Sequence, residues 1–146
     1  MKIPAPIFIL LSVFLLSMCA CNKYDEGPAF SLRTKTFRAT DNWIVSDAQR
    51  NGLDVTTSSR MNVNLRADGT MVYTDTIALA SGDSISNRQG VWEFDRNAEN
   101  LLIVFTDPGG GNVSARIWYI LRLSVGELWV TENVGENLYR YEFEPK

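Results

Sequence analysis

Residues 60–79 have the sequence RMNVNLRADGTMVYTDTIAL, and this stretch decides the fold. Apolar residues alternate with polar ones on both sides of residues 67–69, which is the pattern of two half-buried antiparallel strands. The central Ala-Asp-Gly fits a three-residue hairpin loop in which Gly69 takes the left-handed conformation that other residues adopt only at a cost. This loop predicts two cross-strand pairs, Leu65 with Met71 and Val63 with Tyr73.

The same alternation recurs through the chain between regularly spaced turn residues, and it predicts strands at 42–48, 60–66, 70–79, 89–95, 100–106, 113–123, 127–133 and 137–144. Eight consecutive strands with short links predict an all-β fold, an antiparallel up-and-down eight-stranded β-barrel, because closure hides the edges of the sheet. A two-sheet sandwich is the alternative, although it usually needs longer crossovers. A short helical turn is expected within Ser31–Thr40.

Pairing across the hairpins also predicts which side chains face inward. The Val125-Gly126 turn is expected to pair Leu123 with Leu128 and Leu121 with Val130, and Trp92 should lie opposite Ile103. The predicted interior holds Trp43, Met61, Val63, Leu65, Tyr73, Trp92, Phe94, Ile103, Phe105, Ile117, Tyr119, Leu121 and Tyr141. Such a barrel is just wide enough to be filled by side chains or to hold one small ligand. In the second case the ligand-binding residues would be Tyr73, Trp92, Tyr119 and Tyr141, near an open end.

The opposite face is predicted to carry an apolar patch that includes Val91, Leu102, Val104, Trp118, Ile120 and Trp129. Trp118, Ile120 and Trp129 are its candidate interaction residues, with Arg122 placed to stack on Trp129. Soluble monomers seldom leave such an area bare. Either the segment 29–40 covers it with Phe30, Leu32 and Phe37, or a partner protein does.

Composition excludes several kinds of chemistry. The chain has no histidine, and its 2 cysteines are Cys19 and Cys21, so residues beyond 21 offer no Cys/His zinc site, histidine-based triad or thiol nucleophile. A net charge of −3 makes nucleic acid an unexpected partner.

Glu132 is predicted to face inward near Tyr119, either as a buried acid with a raised pKa or as a solvated residue at the barrel rim. Asp75 is the other inward carboxylate, and nothing pairs the two. We therefore expect no enzyme activity, no cofactor and no metal.

The N-terminus has the pattern of a secretory signal peptide. Lys2 precedes an apolar stretch from Ile7 to Leu16, which is too short for a membrane-spanning helix. The following residues, Leu16-Ser-Met-Cys-Ala-Cys21, resemble the lipobox of bacterial lipoproteins, with the small Ala20 before the modified cysteine. The resemblance implies a signal peptide over 1–20, lipidation of Cys21, a lipidated tether over 21–30 and a barrel domain over 31–146.

Several segments of the remaining chain resemble bacterial lipocalin-like lipoproteins. They are the run from Glu26 to Trp43, Ala67-Asp-Gly-Thr70, Gly90-Val-Trp-Glu-Phe-Asp95 and the run from Tyr119 to Trp129. This family implies a small barrel with one open end. The acidic tether resembles signals that send some Gram-negative lipoproteins to the cell surface, and Asp83-Ser84-Ile85 resembles an O-glycosylation signal of such proteins, which implies Ser84 as an acceptor.

The lipid is expected to anchor the protein in the cell envelope, at the outer membrane. Two functions follow as hypotheses for such a protein. The first is binding of a small apolar or amphipathic ligand in the barrel. The second is a protein-interaction module of an envelope complex, with a filled barrel. A cavity would favour the first hypothesis, and an apolar outer patch would favour the second.

The lipobox predicts the outcome of cysteine substitution. Cys21→Ser should abolish metabolic lipid labelling and release a folded domain, because the predicted interior residues all lie beyond residue 42. Cys19→Ser is the matched control and should still be labelled. Labelling that survives in Cys21→Ser and disappears in Cys19→Ser would place the modified cysteine at 19.

Overall fold

The computed structural model describes residues 33–77, 84–106 and 114–146, and most of them lie in β-strands. A short helix, α1 (Lys35–Ala39), begins after Thr34, whose hydroxyl accepts a hydrogen bond from the Phe37 N–H. A 3₁₀ turn spans Thr56–Ser58. The strands are β1 (Asp41–Arg50), β2 (Leu53–Asp54), β3 (Arg60–Leu65), β4 (Thr70–Ile77), β5 (Ser84–Phe94), β6 (Asn100–Thr106), β7 (Ser114–Ser124), β8 (Glu127–Val134) and β9 (Asn137–Pro145).

The sheet closes on itself. From β3 to β9 each strand pairs antiparallel with the next, and β1 pairs with both β3 and β9. The two-residue strand β2 extends β1 through a tight turn at Asn51 and Gly52, both of which have positive φ. The predicted fold class, an all-β antiparallel up-and-down barrel of eight strands, is therefore confirmed. The sandwich alternative is wrong because one continuous sheet carries all the main strands.

The predicted strands agree with the observed ones to within two residues at nearly every end. The exception is β5, which begins at Ser84 instead of 89, because residues 84–88 continue the ladder with β4. The hairpin that decides the fold is also confirmed: Gly69 has φ +82°, and Leu65 pairs with Met71 as predicted. Asp68 supports the turn by accepting hydrogen bonds from the Thr70 N–H and hydroxyl.

Helix α1 and the turns after β3, β5 and β7 lie at one end of the barrel, which we call the capped end. Side-chain hydrogen bonds connect the parts of this end. The indole N–H of Trp43 donates to the Ala39 carbonyl, and the indole N–H of Trp92 donates to the Arg66 carbonyl. The Arg38 guanidinium donates to the Leu123 carbonyl at 2.7 Å. Ala39 is fully buried. The opposite end, which we call the distal end, is where β4, β6 and β8 finish.

The segment 29–40 was one of two predicted covers for the outer apolar face. For residues 33–40, the part of this segment that the structure describes, that prediction is wrong. Helix α1 caps the barrel end instead, and Phe37 remains 52% exposed. The helix is held at this end because Arg38 and the Ala39 carbonyl are bonded to β7 and β1. Phe30 and Leu32 lie outside the described residues.

A bulge in β7 reverses part of the predicted face assignment. Leu123 pairs with Leu128 and Arg122 with Trp129, but the next pair joins Ile120 to Val130, so Leu121 has no opposite residue. The expected pair of Leu121 with Val130 is therefore wrong. A one-residue insertion exchanges the two faces of a strand. Every side chain of β7 before Leu121 therefore points to the face opposite to the predicted one.

The consequence is an inverted pattern of burial in β7. Trp118 is 0% exposed and Ile120 is 7% exposed, whereas Ile117 and Tyr119 are 45% and 43% exposed. The predicted outward positions of Trp118 and Ile120 and the predicted inward positions of Ile117 and Tyr119 are thus wrong. Inside the barrel Trp118 stacks on Phe143, with ring centroids 5.4 Å apart.

Elsewhere the predicted interior is confirmed. Trp92 lies opposite Ile103, and both are buried. The buried apolar residues shared with the prediction are Trp43, Met61, Val63, Leu65, Tyr73, Trp92, Ile103, Phe105 and Tyr141, and Phe94 packs against them. The core therefore runs along the barrel axis from the capped end towards the distal end.

Burial of Trp92 predicts a large loss of stability on truncation. Trp92→Ala should lower the free energy of unfolding by about 3–5 kcal/mol, because a cavity opens under the capped end and the Arg66 carbonyl keeps only the Gly69 N–H as a donor. Trp129→Ala is the matched control, since this half-buried ring lies on the outer face, and it should cost less than half as much. Denaturant unfolding measures both, and equal costs would contradict the assignment of Trp92 to the core.

Candidate functional site

The four tyrosine and tryptophan residues predicted to line a ligand cavity do not come together. Tyr73 and Tyr141 are buried inside the barrel, as predicted. Trp92 also faces inward, but it lies at the capped end, where it contacts Phe94. Tyr119 faces outward because of the bulge at Leu121. Of the predicted ligand-binding residues, only Tyr73 and Tyr141 are therefore placed together in the distal half of the interior.

Three charged side chains join these tyrosines inside the barrel. Arg88 comes from β5, Arg116 from β7 and Glu132 from β8, and each lies near the distal end of its strand. We call Tyr73, Arg88, Arg116, Glu132 and Tyr141 the distal cluster. Its members come from five different strands of the barrel wall.

Glu132 is the buried acid of the distal cluster. It is 3% exposed, and one carboxylate oxygen accepts hydrogen bonds from the Trp118 indole at 3.2 Å and from Arg116 at 3.4 Å. Burial raises the pKa of Glu132, and the Arg116 charge and the indole hydrogen bond oppose that rise only in part. The inward orientation predicted for Glu132 is confirmed, and the alternative of a solvated rim position is wrong. Its expected proximity to Tyr119 on the inner face is also wrong.

The two arginines lie over aromatic rings. The guanidinium carbon of Arg88 is 4.4 Å from the centroid of Phe105 and 4.8 Å from that of Tyr73. Arg116 lies 5.3 Å from the Tyr73 centroid and 5.6 Å from the Phe105 centroid. Cation–π attraction holds both charges against these two rings, which meet edge to face. The Nε of Arg88 is buried and has no hydrogen-bond partner among the described residues.

The two phenols of the cluster are neutral hydroxyl groups. Burial raises the pKa of Tyr73, and the Arg116 and Arg88 charges counteract this effect in part. Burial, followed by the Glu132 charge, raises the pKa of Tyr141 far above its ordinary value. Both hydroxyls therefore stay protonated at physiological pH and can donate a hydrogen bond.

Asp75 lies next to the distal cluster. It is opposite Met61, as predicted, and its charge contributes to the raised pKa of Tyr73. Asp75 forms no ion pair with Arg88 in the described part of the chain. Among the described residues, the charged side chains that face the distal interior are thus Arg88, Arg116, the buried Glu132 and the half-buried Asp75.

Sequence reasoning missed both arginines, for different reasons. Arg88 precedes the predicted start of its strand, although the inward position of Trp92 and a period of two already place residue 88 inside. Arg116 falls on the outer face in the regular register that places Ile117 inside, because the bulge at Leu121 leaves no trace in the alternation. Residues 116–121, RIWYIL, are apolar at nearly every position, so both registers fit the pattern.

The outer face differs from the predicted interaction patch. Trp129 faces outward as expected and lies beneath Arg122 at 5.1 Å and Arg140 at 5.5 Å. With Trp118 and Ile120 inside, the outer face of β5–β7 still carries the apolar residues Val91, Leu102, Val104, Ile117 and Tyr119. Val91 lies opposite Val104, and Leu102 lies opposite Ile117, so these side chains form one continuous surface.

Other predicted sites fall at the margins of the described structure. Ser84 is the exposed first residue of β5, and its glycosylation remains a prediction. Cys21 and the tether lie outside the described residues. No group of three or more acidic, cysteine or histidine residues that could hold a metal ion occurs within residues 33–77, 84–106 and 114–146. The helix in those ranges lacks the length and hydropathy of a membrane span.

Comparison of the chain with family models, with curated proteins and with solved structures finds no match.

The raised pKa of Glu132 predicts how stability depends on pH. The native carboxyl holds its proton more tightly than the unfolded one, whose pKa is near 4.5, so its ionisation on going to higher pH costs native-state stability. Relative to Glu132→Gln, the wild type should be most stable below pH 4.5 and should lose stability as pH rises through the native pKa. Thermal melts of both proteins between about pH 4 and 8 measure this difference, and a difference independent of pH would refute the burial cost assigned to Glu132.

Proposed function

We propose that this protein is a lipid-anchored component of the bacterial cell envelope whose lipocalin-like barrel binds a small amphipathic ligand at the distal end. The observation that carries the proposal is the distal cluster itself. Polar groups that converge inside an otherwise apolar barrel are the usual composition of a small-molecule site. A barrel that needed only to be stable would gain by filling these positions with apolar side chains.

The position of the N-terminus supports the anchor part of the proposal. The chain enters the barrel through α1, which lies at the capped end. A tether that runs from a lipidated Cys21 to Thr34 would therefore attach the membrane on the side of the capped end. The distal cluster would then face away from the membrane, where a ligand can reach it.

The position of the family-like segments supports the lipocalin-like part. Ala67–Thr70 forms the first long hairpin turn, Gly90–Phe94 lines the core, and Tyr119–Trp129 contains the bulge and the last turn of the capped end. A closed barrel of eight antiparallel strands is the fold that the resemblance to bacterial lipocalin-like lipoproteins implies.

The chemistry of the cluster favours binding over catalysis. The Glu132 carboxylate is engaged by Trp118 and Arg116, and both phenols have raised pKa values, so none of the three is an activated nucleophile. Uncommitted hydroxyl and guanidinium donors are, in contrast, the groups that orient a polar ligand head.

A second candidate function is protein interaction. The observation in its favour is the outer apolar surface of β5–β7, where Val91, Ile117 and Tyr119 are each more than 40% exposed. In an envelope complex this surface would be the docking face, and the barrel interior would serve only as a core.

The proposed binding function predicts the effect of removing one hydroxyl. Native mass spectrometry of protein purified from its own host should detect a bound small molecule. Tyr73→Phe should weaken its retention by about fivefold, the effect of one hydrogen bond of about 1 kcal/mol. Tyr119→Phe is the matched control on the outer face and should retain the molecule fully.

Two results would contradict the ligand-binding proposal. One is a barrel that carries no small molecule in any preparation, and the other is equal retention in both tyrosine variants. Loss of a copurifying protein in Ile117→Glu, with an unchanged melting temperature, would then favour the second candidate.

A further inference from the structure

The guanidinium of Arg88 is the group in the distal cluster whose bonding is incomplete. Arginine carries five N–H donors and stays charged at all physiological pH values. Arg116 has Glu132 as an ion-pair partner, whereas the contacts of Arg88 within the described residues are with the rings of Tyr73 and Phe105. In the same part of the chain the Nε atoms of Arg88 and Arg38 are buried and unpartnered, but the Arg38 guanidinium also donates to the Leu123 carbonyl. A buried donor without an acceptor is costly, so a role that requires it is expected.

The guanidinium carbon of Arg88 lies 4.8 Å from the Tyr73 centroid and 4.4 Å from the Phe105 centroid, in the angle between two rings that meet at 82°. The Tyr73 ring also lies below Arg116, and the Tyr73 hydroxyl interacts with the Arg116 side chain. Arg88, Arg116 and Tyr73 therefore form one group of hydrogen-bond donors beside the Tyr73 and Phe105 rings.

We propose that the ligand of this barrel is an anion whose carboxylate is bound by Arg88, with Arg116 and Tyr73 as neighbouring donors. This inference rests on the proposed ligand-binding function and adds the chemical class of the ligand. The planar fork of a guanidinium matches the two oxygens of a carboxylate. The apolar part of the ligand contacts Phe105 and the neighbouring core side chains.

The local charge balance favours a single negative charge. Glu132 and Asp75 already offset part of the charge of the two arginines, and Glu132 is close enough to bond Arg116. A dianionic phosphate would bring a second negative charge towards these carboxylates. A monocarboxylate uses the free donors of Arg88 and leaves the pair between Arg116 and Glu132 in place.

The test compares isosteric charged and neutral probes on the full chain held in phospholipid nanodiscs, with empty nanodiscs as the blank. Hexanoate, hexanamide and acetate are titrated and followed by tryptophan fluorescence, since Trp118 touches Glu132. Hexanoate should bind, and hexanamide should bind at least about tenfold more weakly, because a charge-assisted hydrogen bond is lost.

Two substitutions with opposite expected effects make the test specific. Arg88→Gln should weaken hexanoate binding by about 10- to 100-fold and should leave hexanamide binding unchanged. Glu132→Gln should tighten hexanoate binding by about threefold or more, because a nearby negative charge is removed. A merely damaged structure cannot tighten binding. Arg122→Gln, on the outer face beside Glu127, is the matched control and should bind as the wild type does.

The outcomes separate this inference from the function on which it rests. Equal binding of hexanoate and hexanamide, unchanged in Arg88→Gln, would overturn the anion site and leave an apolar ligand site intact. Binding of neither probe by the wild type would overturn both. Acetate that binds as tightly as hexanoate and is lost in Arg88→Gln would support the carboxylate site and show that its ligand is a small free acid rather than an amphipath.

Discussion

The bulge at Leu121 determines which side chains of β7 reach the inside of the barrel, and most features of the interior depend on it. Below the bulge, Leu123 points inward; above it, Ile120, Trp118 and Arg116 do. Without the extra residue the side chains of Trp118 and Arg116 would lie on the outside. The stack of Trp118 on Phe143 and the bond from its indole to Glu132 both follow from this one irregularity.

The interior divides into two halves of different chemistry. At the capped end, the indoles of Trp43 and Trp92 donate to carbonyls of the chain that closes the barrel, so their polar atoms are satisfied locally. Towards the distal end, the side chains of Arg88, Arg116 and Glu132 lie against aromatic rings. Burying these charged groups costs stability, and such a local cost is expected at a site that binds a ligand.

Placement of the helix at the capped end links the fold to its proposed setting. Because α1 closes the end through which the chain enters, the proposed anchor and the proposed binding site would lie at opposite ends of the barrel. The outer wall carries exposed apolar side chains on β5–β7, such as Val91, Ile117 and Tyr119, and these lie on the opposite face of the sheet from the distal cluster. A tethered binding module and a docking surface are therefore compatible on one barrel.

The sequence by itself determined the all-β class, the order and nearly all bounds of the strands, the register of the 60–77 hairpin and the inward position of Glu132. These features depend on local turn chemistry, such as the left-handed Gly69, and on a strict period of two, both of which are visible in one chain. The faces of Trp118, Tyr119 and Arg116 were decided only by the tertiary structure. Their segment is apolar on both faces, so only closure of the barrel, which requires β7 to match β6 and β8 at once, selects the bulged register. The distal cluster was likewise hidden, because its members come from separate strands and converge only when the sheet closes.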